Sequence, residues 1–112
     1  LYDNSLANTV YLESKNNSTT TSNIQFVTGG DYNAPSNGTA RMTITATGKI
    51  GIATNAPSAN ADLTLEGGAI ALKETTTPTA DTNYGKLYTK SDNKLYFQAG
   101  NNTEFEVSLE AS

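Results

Sequence analysis

The chain of 112 residues contains no cysteine, no histidine and no tryptophan. Without cysteine there can be no disulfide, no thiolate nucleophile and no zinc–thiolate site. Without histidine there is no side chain that ordinarily titrates near neutral pH, and Ser-His-Asp and Cys-His sets are impossible. Charge is scarce as well. Only 16% of residues are charged, with 7 basic side chains against 11 acidic ones and a net charge of −4. Nucleic-acid binding needs a clustered basic surface, and the basic residues here are scattered, so no nucleic-acid partner is expected. No apolar run approaches the roughly 20 residues of a membrane-spanning helix, so no membrane insertion is expected. Polar residues follow Leu1 at once, so no signal peptide is read, and the missing initial Met reads as a piece trimmed from a longer protein.

Large apolar side chains are also few. Leu, Ile, Val and Phe together make up under about a fifth of the chain. Thr, Asn, Ser, Ala and Gly fill their place. A small domain buries a smaller share of the surface its unfolded chain exposes, so such a chain can hardly build a core alone. Association of identical copies is a natural way to supply the missing core.

The apolar residues that are present alternate in short runs between turn signals, which reads as an all-β chain without helices. Strands are expected at Thr9 to Ser14, Asn23 to Thr28 and Arg41 to Ala46, the last with Met42 and Ile44 inward. Pairs follow at Ile50/Ile52, Leu63/Leu65 and Ile70/Leu72. Residues 15–22 and 31–39 read as loops, the second with Pro35 and Asn37-Gly38 as turn formers. Residues 74–84, rich in Thr and holding Pro78, read as an extended linker. A β-sandwich monomer gives the same alternation, but its two inner faces need more large side chains than this chain carries.

The end of the chain can be read to the register. Strands at Gly85 to Lys90, Lys94 to Gln98 and Thr103 to Leu109 form an antiparallel meander. A three-residue loop, Ser91 to Asn93, pairs Tyr88 with Tyr96 and Leu87 with Phe97. A slip of one residue would flip every side chain. The next loop, Gly100 to Asn102, sets Phe97 opposite Phe105. Three-residue hairpin loops usually end in a left-handed residue, so Asn93 should have a positive φ. Leu87, Leu95, Phe97, Phe105, Val107 and Leu109 then share the expected inner face. Lys86, Tyr88, Lys90, Lys94, Tyr96, Gln98, Glu104 and Glu106 form the expected outer one, with Tyr88 and Tyr96 as ligand-facing candidates.

From Arg41 to Leu65 the chain reads RMTITATGKIGIATNAPSANADLTL. This resembles a segment of phage and viral tail-fibre proteins, of the form RM-x-I-x-x-x-G-N-V-G-I-G-T-x-x-P-x-x-x-L-x-V. Arg41, Met42, Ile44, Gly48, Gly51, Ile52, Thr54, Pro57, Leu63 and Leu65 match. Lys49, Ile50, Ala53 and Asn55-Ala56 depart from it, Ala53 standing where the pattern has Gly. Asn23 to Gly30 and Asn83 to Gly100 are similar to stretches that flank such segments and to short repeats near fibre tips. The resemblance implies a slender homotrimer with a structural or receptor-binding role, located in the virion or outside the cell. A host-surface glycan or protein receptor is its implied partner. Physically, three copies of Ile44, Ile50, Ile52, Leu63 and Leu65 near a shared axis would form a core that one copy cannot. Gly51 would let a neighbouring backbone approach. The expected organisation is a short-strand module over 1–40, the fibre motif over 41–73, the linker over 74–84 and the meander over 85–112.

Catalytic chemistry is not expected, and neither is a cofactor or a metal. Ser91-Asp92-Asn93 is too short and too poor in carboxylates for a calcium loop and reads as a tight turn. Glu104 and Glu106 share a strand face at a spacing near that of glycosidase carboxyl pairs, but alternating Glu on a strand reads as a solvated face. The alternative reading is a carbohydrate-binding or adhesin module, for which Tyr88 and Tyr96 would supply the aromatic platform.

Overall fold

The computed structural model describes residues 2–3, 10–16, 22–33 and 37–108. Thr9, Pro35 and Leu109, each part of an expected strand or turn, lie outside them. Among the described residues there is no helix, and nine short strands form three sheets. The all-β expectation is met. The chain divides into two compact units, residues 1–69 and 70–112.

In the first unit, β1 (Tyr2–Asp3) pairs antiparallel with β2 (Val10–Tyr11). A four-stranded sheet follows, in the order β3 (Ile24–Thr28), β4 (Thr39–Ile44), β5 (Ile50–Ile52) and β6 (Leu63–Leu65). The β3–β4 and β4–β5 pairs are antiparallel and β5–β6 is parallel. The β4–β5 hairpin turns through Ala46, Thr47 and Gly48. Its hydrogen bonds from Thr45 N to Lys49 O and from Gly48 N to Thr45 O are both 2.9 Å. Gly48 closes it at φ 83°, the left-handed last residue that a three-residue loop demands. The boundary expected after residue 40 falls inside β4, which is bonded to β3 along its length, so no module ends there.

A parallel pair cannot be closed by a tight turn; its connection must cross one face of the sheet. Residues 53–62 make that crossing. It starts at Ala53, whose φ is 63° and whose amide bonds to Arg41 O at 3.0 Å. It then lies against Gly51, where an added Cβ would sit 2.6 Å from Thr54 O and 2.9 Å from Thr54 Cγ2. Ser58 N bonds to Thr64 Oγ1 at 3.0 Å. The crossed face is the small and polar one, running across the strands as Gln25, Thr43, Gly51 and Thr64, of which Thr43 and Gly51 are buried and Gln25 on β3 is exposed. Thr43 is fully buried.

The second unit is a meander of β7 (Lys86–Thr89), β8 (Leu95–Gln98) and β9 (Glu104–Glu106). Its register is the expected one, with Leu87 opposite Phe97, Tyr88 opposite Tyr96 and Phe97 opposite Phe105. Both loops are three residues long, closed by Asn93 at φ 62° and Asn102 at φ 73°. Asp92 and Asn101 brace them by accepting from the amides of Lys94 and Thr103 at 3.1 Å each.

Residues 74–84, expected as an extended linker, are without strand or helix and are hydrogen-bonded to the meander, and Ile70 and Leu72 form no strand. The segment 72–82 is a strap laid on the meander. Thr75 N bonds to Thr89 O at 2.8 Å, and Thr89 Oγ1 to Leu72 O at 2.8 Å. Gln98 Nε2 donates to Pro78 O at 2.6 Å, and Lys86 Nζ reaches Thr79 O. Gly100 leaves room for the end of the strap, since a Cβ there would lie 2.8 Å from Asn83 N.

Candidate functional site

Each unit has one covered face and one open face, and in both the assignment runs against hydropathy. In the second unit the strap covers the polar face. Tyr88 is 4% exposed and Gln98 1%. On the opposite face Leu87 is 62% exposed, Phe105 52% and Phe97 38%. The expected inner face is therefore the open one and the expected outer face is the covered one. The strap decides this, because Thr77, Pro78 O and Thr79 O can satisfy Lys, Glu and Gln side chains but offer little to a Phe ring.

The covered polar face is an electrostatic network. Lys90 Nζ lies 2.9 Å from Glu104 Oε1, and Thr77 Oγ1 donates to Glu104 Oε2 at 2.8 Å. The hydrogen bond from Lys90, joined by that from Thr77, holds the Glu104 carboxyl below its ordinary 4.5. The same Lys90–Glu104 bond raises Lys90 above its ordinary 10.5. Lys90 also sits over the Tyr96 ring, 4.8 Å from its centroid, and the Tyr88 and Tyr96 rings stack at 5.9 Å. The Tyr96 hydroxyl donates to the Asp92 carboxylate, which pushes the phenol up to about 12, with desolvation adding to the shift. Burial, and then the Glu104 charge, push Tyr88 up. Two buried atoms, the Tyr88 hydroxyl and Gln98 Oε1, have no partner of good hydrogen-bonding geometry.

The aromatic platform expected from Tyr88 and Tyr96 is therefore not an open surface. Tyr88 is buried, and Tyr96 is half-buried between Tyr88 and Lys90. Glu104 and Glu106 do share a face, but each is neutralised, Glu104 by Lys90 and Glu106 by Lys94 at 3.4 Å. The like charges of Lys90 and Lys94, which flank the β7–β8 loop, are each met by one of these two pairings. Asp92 in that loop accepts from the Tyr96 hydroxyl. Among the described residues no cluster of acidic groups is arranged to hold a metal ion. An open depression in the first unit, lined by Thr39, Ala40, Ala53, Thr54, Asn55 and Glu66, contains a single ionisable side chain.

The surface with the most distinctive chemistry is the open apolar one. In the first unit, Ile24, Ile44, Ile50 and Leu63 form one cross-strand row, and Phe26, Met42, Ile52 and Leu65 the next. All five residues expected in a shared core (Ile44, Ile50, Ile52, Leu63 and Leu65) lie on this one face. None of them is fully buried, and Leu63 is 58% exposed and Phe26 46%. In the second unit, Phe97 and Phe105 stack at 6.5 Å with Leu87 beside them. Sequence reasoning found these residues but missed the crossover and the strap that leave them bare. The alternation of Thr75, Thr77 and Thr79 was the available signal for the strap.

No known family model matches this chain, and no curated protein matches it. Among solved structures, a novel hyaluronidase from Streptomyces koganeiensis aligns over 98% of this chain and 56% of its own length. The identity is 17% and the TM-score 0.33, a likeness that carries no argument about fold or activity.

Proposed function

We propose that this chain is a structural segment of a homo-oligomeric fibre of the viral or phage tail-fibre kind, three copies associating through their open apolar faces. One observation carries the reading: the apolar sheet faces leave Phe26, Leu63, Leu87, Phe97 and Phe105 exposed in a single copy, while Thr43, Tyr88 and Gln98 on the polar faces are buried under the chain's own crossover and strap. A monomer would gain by the reverse arrangement, because burial of apolar area is the main favourable term in folding. The matches of Arg41 to Leu65 to the fibre segment support the same reading. Its role is structural and not catalytic, with contact to a host-surface receptor made through loops. The carbohydrate-module reading loses the feature that motivated it, since Tyr88 lies beneath the strap.

The test is a pair of single substitutions read by sedimentation velocity. Ile52→Asp sets a carboxylate on the open face in each copy, where desolvation and mutual repulsion oppose assembly. Thr47→Asp, in the exposed β4–β5 turn, is the control. Ile52→Asp should lower the sedimentation coefficient to that of a single chain or an unfolded one, while Thr47→Asp leaves it unchanged. Identical sedimentation of Ile52→Asp and wild type would sink the proposal.

A further inference from the structure

We infer that Asn37 is a self-modification site: the loop between β3 and β4 promotes its cyclisation onto the Gly38 amide, and the product opens that loop. The inference goes beyond the fibre reading and does not depend on it.

Asn37 is the only Asn in the chain that is followed by Gly. Gly38 does not hold left-handed backbone, so its missing side chain serves space. An added Cβ would sit 2.5 Å from Val27 Cγ1 and 3.1 Å from Thr28 O. The close approach of β3 to the start of β4 thus requires Gly here, and Gly leaves the amide nitrogen beside Asn37 unshielded. The Asn37 carboxamide is held as well. Its Oδ1 accepts from the Asp31 amide at 2.8 Å. A donor on that oxygen draws charge from Cγ and stabilises the oxyanion formed there on attack. The two reacting groups are neighbours in one chain, so their encounter costs little further entropy. Asn37 is exposed, so the leaving group departs directly into water. Asn23 has only half of this arrangement. Its Oδ1 accepts from the Ala46 amide at 3.0 Å, but the next residue is the β-branched Ile24, whose stiff side chain shields the attacking nitrogen.

In the reaction, Gly38 N gives its proton to hydroxide and bonds to Asn37 Cγ. The Cγ–Nδ2 bond breaks and Nδ2 leaves as ammonia, closing a five-membered succinimide. Water then opens the ring at either carbonyl. Opening at Cγ leaves an aspartate in the ordinary chain. Opening at the backbone carbonyl leaves an isoaspartate, with the chain routed through the side chain and longer by one carbon. Neither product suits the loop. The first sets a new carboxylate against Asp31, whose own carboxylate already accepts from Asn33 N at 2.9 Å. The second displaces Gly38, which has no room to move against Val27 and Thr28.

The test holds the wild-type chain at mildly alkaline pH, folded and in parallel in urea. Samples are digested and read by mass spectrometry with fragmentation that separates aspartate from isoaspartate. In the folded chain Asn37 should convert roughly tenfold or more faster than Asn23, and no more slowly than in urea, where the bond from Asp31 is lost. The converted fraction, separated by its added negative charge, should unfold at lower urea than the unconverted one. A folded-state rate at Asn37 within tenfold of that at Asn23 overturns the inference, and so does slower conversion folded than in urea. An unchanged urea midpoint in the converted fraction also overturns it. All three results leave the fibre reading standing.

Discussion

Among the described residues, four other than glycine hold left-handed backbone: Ala53, Asn83, Asn93 and Asn102. The Asn residues tolerate this conformation, whereas Ala has a Cβ that clashes and no side chain to compensate. Ala53 occupies the position where the fibre-like pattern has Gly, and its φ of 63° shows why Gly suits it. Ala53→Gly should therefore stabilise the fold by about 1 kcal/mol, relief of strain outweighing added chain entropy. Asn93→Gly should be neutral or slightly stabilising, while Asn93→Val should destabilise by about 1 kcal/mol or more. Urea unfolding followed by circular dichroism checks all three. An Ala53→Gly variant less stable than wild type, or an Asn93→Val variant equal to it, would refute the account of these turns. Asn93 was legible in the sequence because the hairpin register admits only one loop length. The left-handed turn at Ala53 was obscured, since the residue there is Ala where the fibre-like pattern has Gly, and the parallel crossover that requires it depends on distant segments.

Among the elements, the strap offers the sharpest pH dependence. It is held to the meander by hydrogen bonds and by the Lys86–Asp81 ion pair. Glu104 is central, accepting from both Lys90 and Thr77. A carboxyl with a lowered folded pKa contributes stability that is present above its ordinary 4.5 and is lost as pH falls through the lowered value. Lys90, raised by the same bond, contributes below its ordinary 10.5 and loses that contribution as pH rises through the raised value. The strap should thus be held firmly between these limits and loosen on either side. The Thr75 amide, bonded to Thr89 O, reports it. Its NMR signal should shift in an acid transition centred below pH 4.5, and Glu104→Gln should abolish that transition. A Thr75 signal unchanged down to pH 2 would show that Glu104 does not hold the strap. Here the sequence misled in one respect. Alternation tells which side chains share a face, and the meander register followed from it residue by residue. It does not tell which face is covered. Hydropathy assigned Leu87, Phe97 and Phe105 to the inside, whereas the strap, a polar segment resembling a linker, covers the other side.

At the scale of the whole molecule, both units share one inversion. Polar and small side chains are shielded by the chain's own segments, and the large apolar ones wait on the open faces. A chain with under about a fifth of its residues in Leu, Ile, Val and Phe leaves Phe26, Leu63, Leu87, Phe97 and Phe105 exposed on its sheet faces. The fold class, the strands of the meander and the residues of the apolar sheet faces were legible because they depend on local alternation. The crossover, the strap and the division after residue 69 depend on contacts between distant segments and were not. The central claim is that this chain is complete as a structure only in the company of its copies. Static light scattering coupled to size-exclusion chromatography, from about 1 to 100 μM, tests it most directly. The account predicts a mass near three times the 11.8 kDa of one chain throughout that range, with β-structure lost in step when dilution or urea dissociates the assembly. A cooperatively folded species of 11.8 kDa at these concentrations would contradict it.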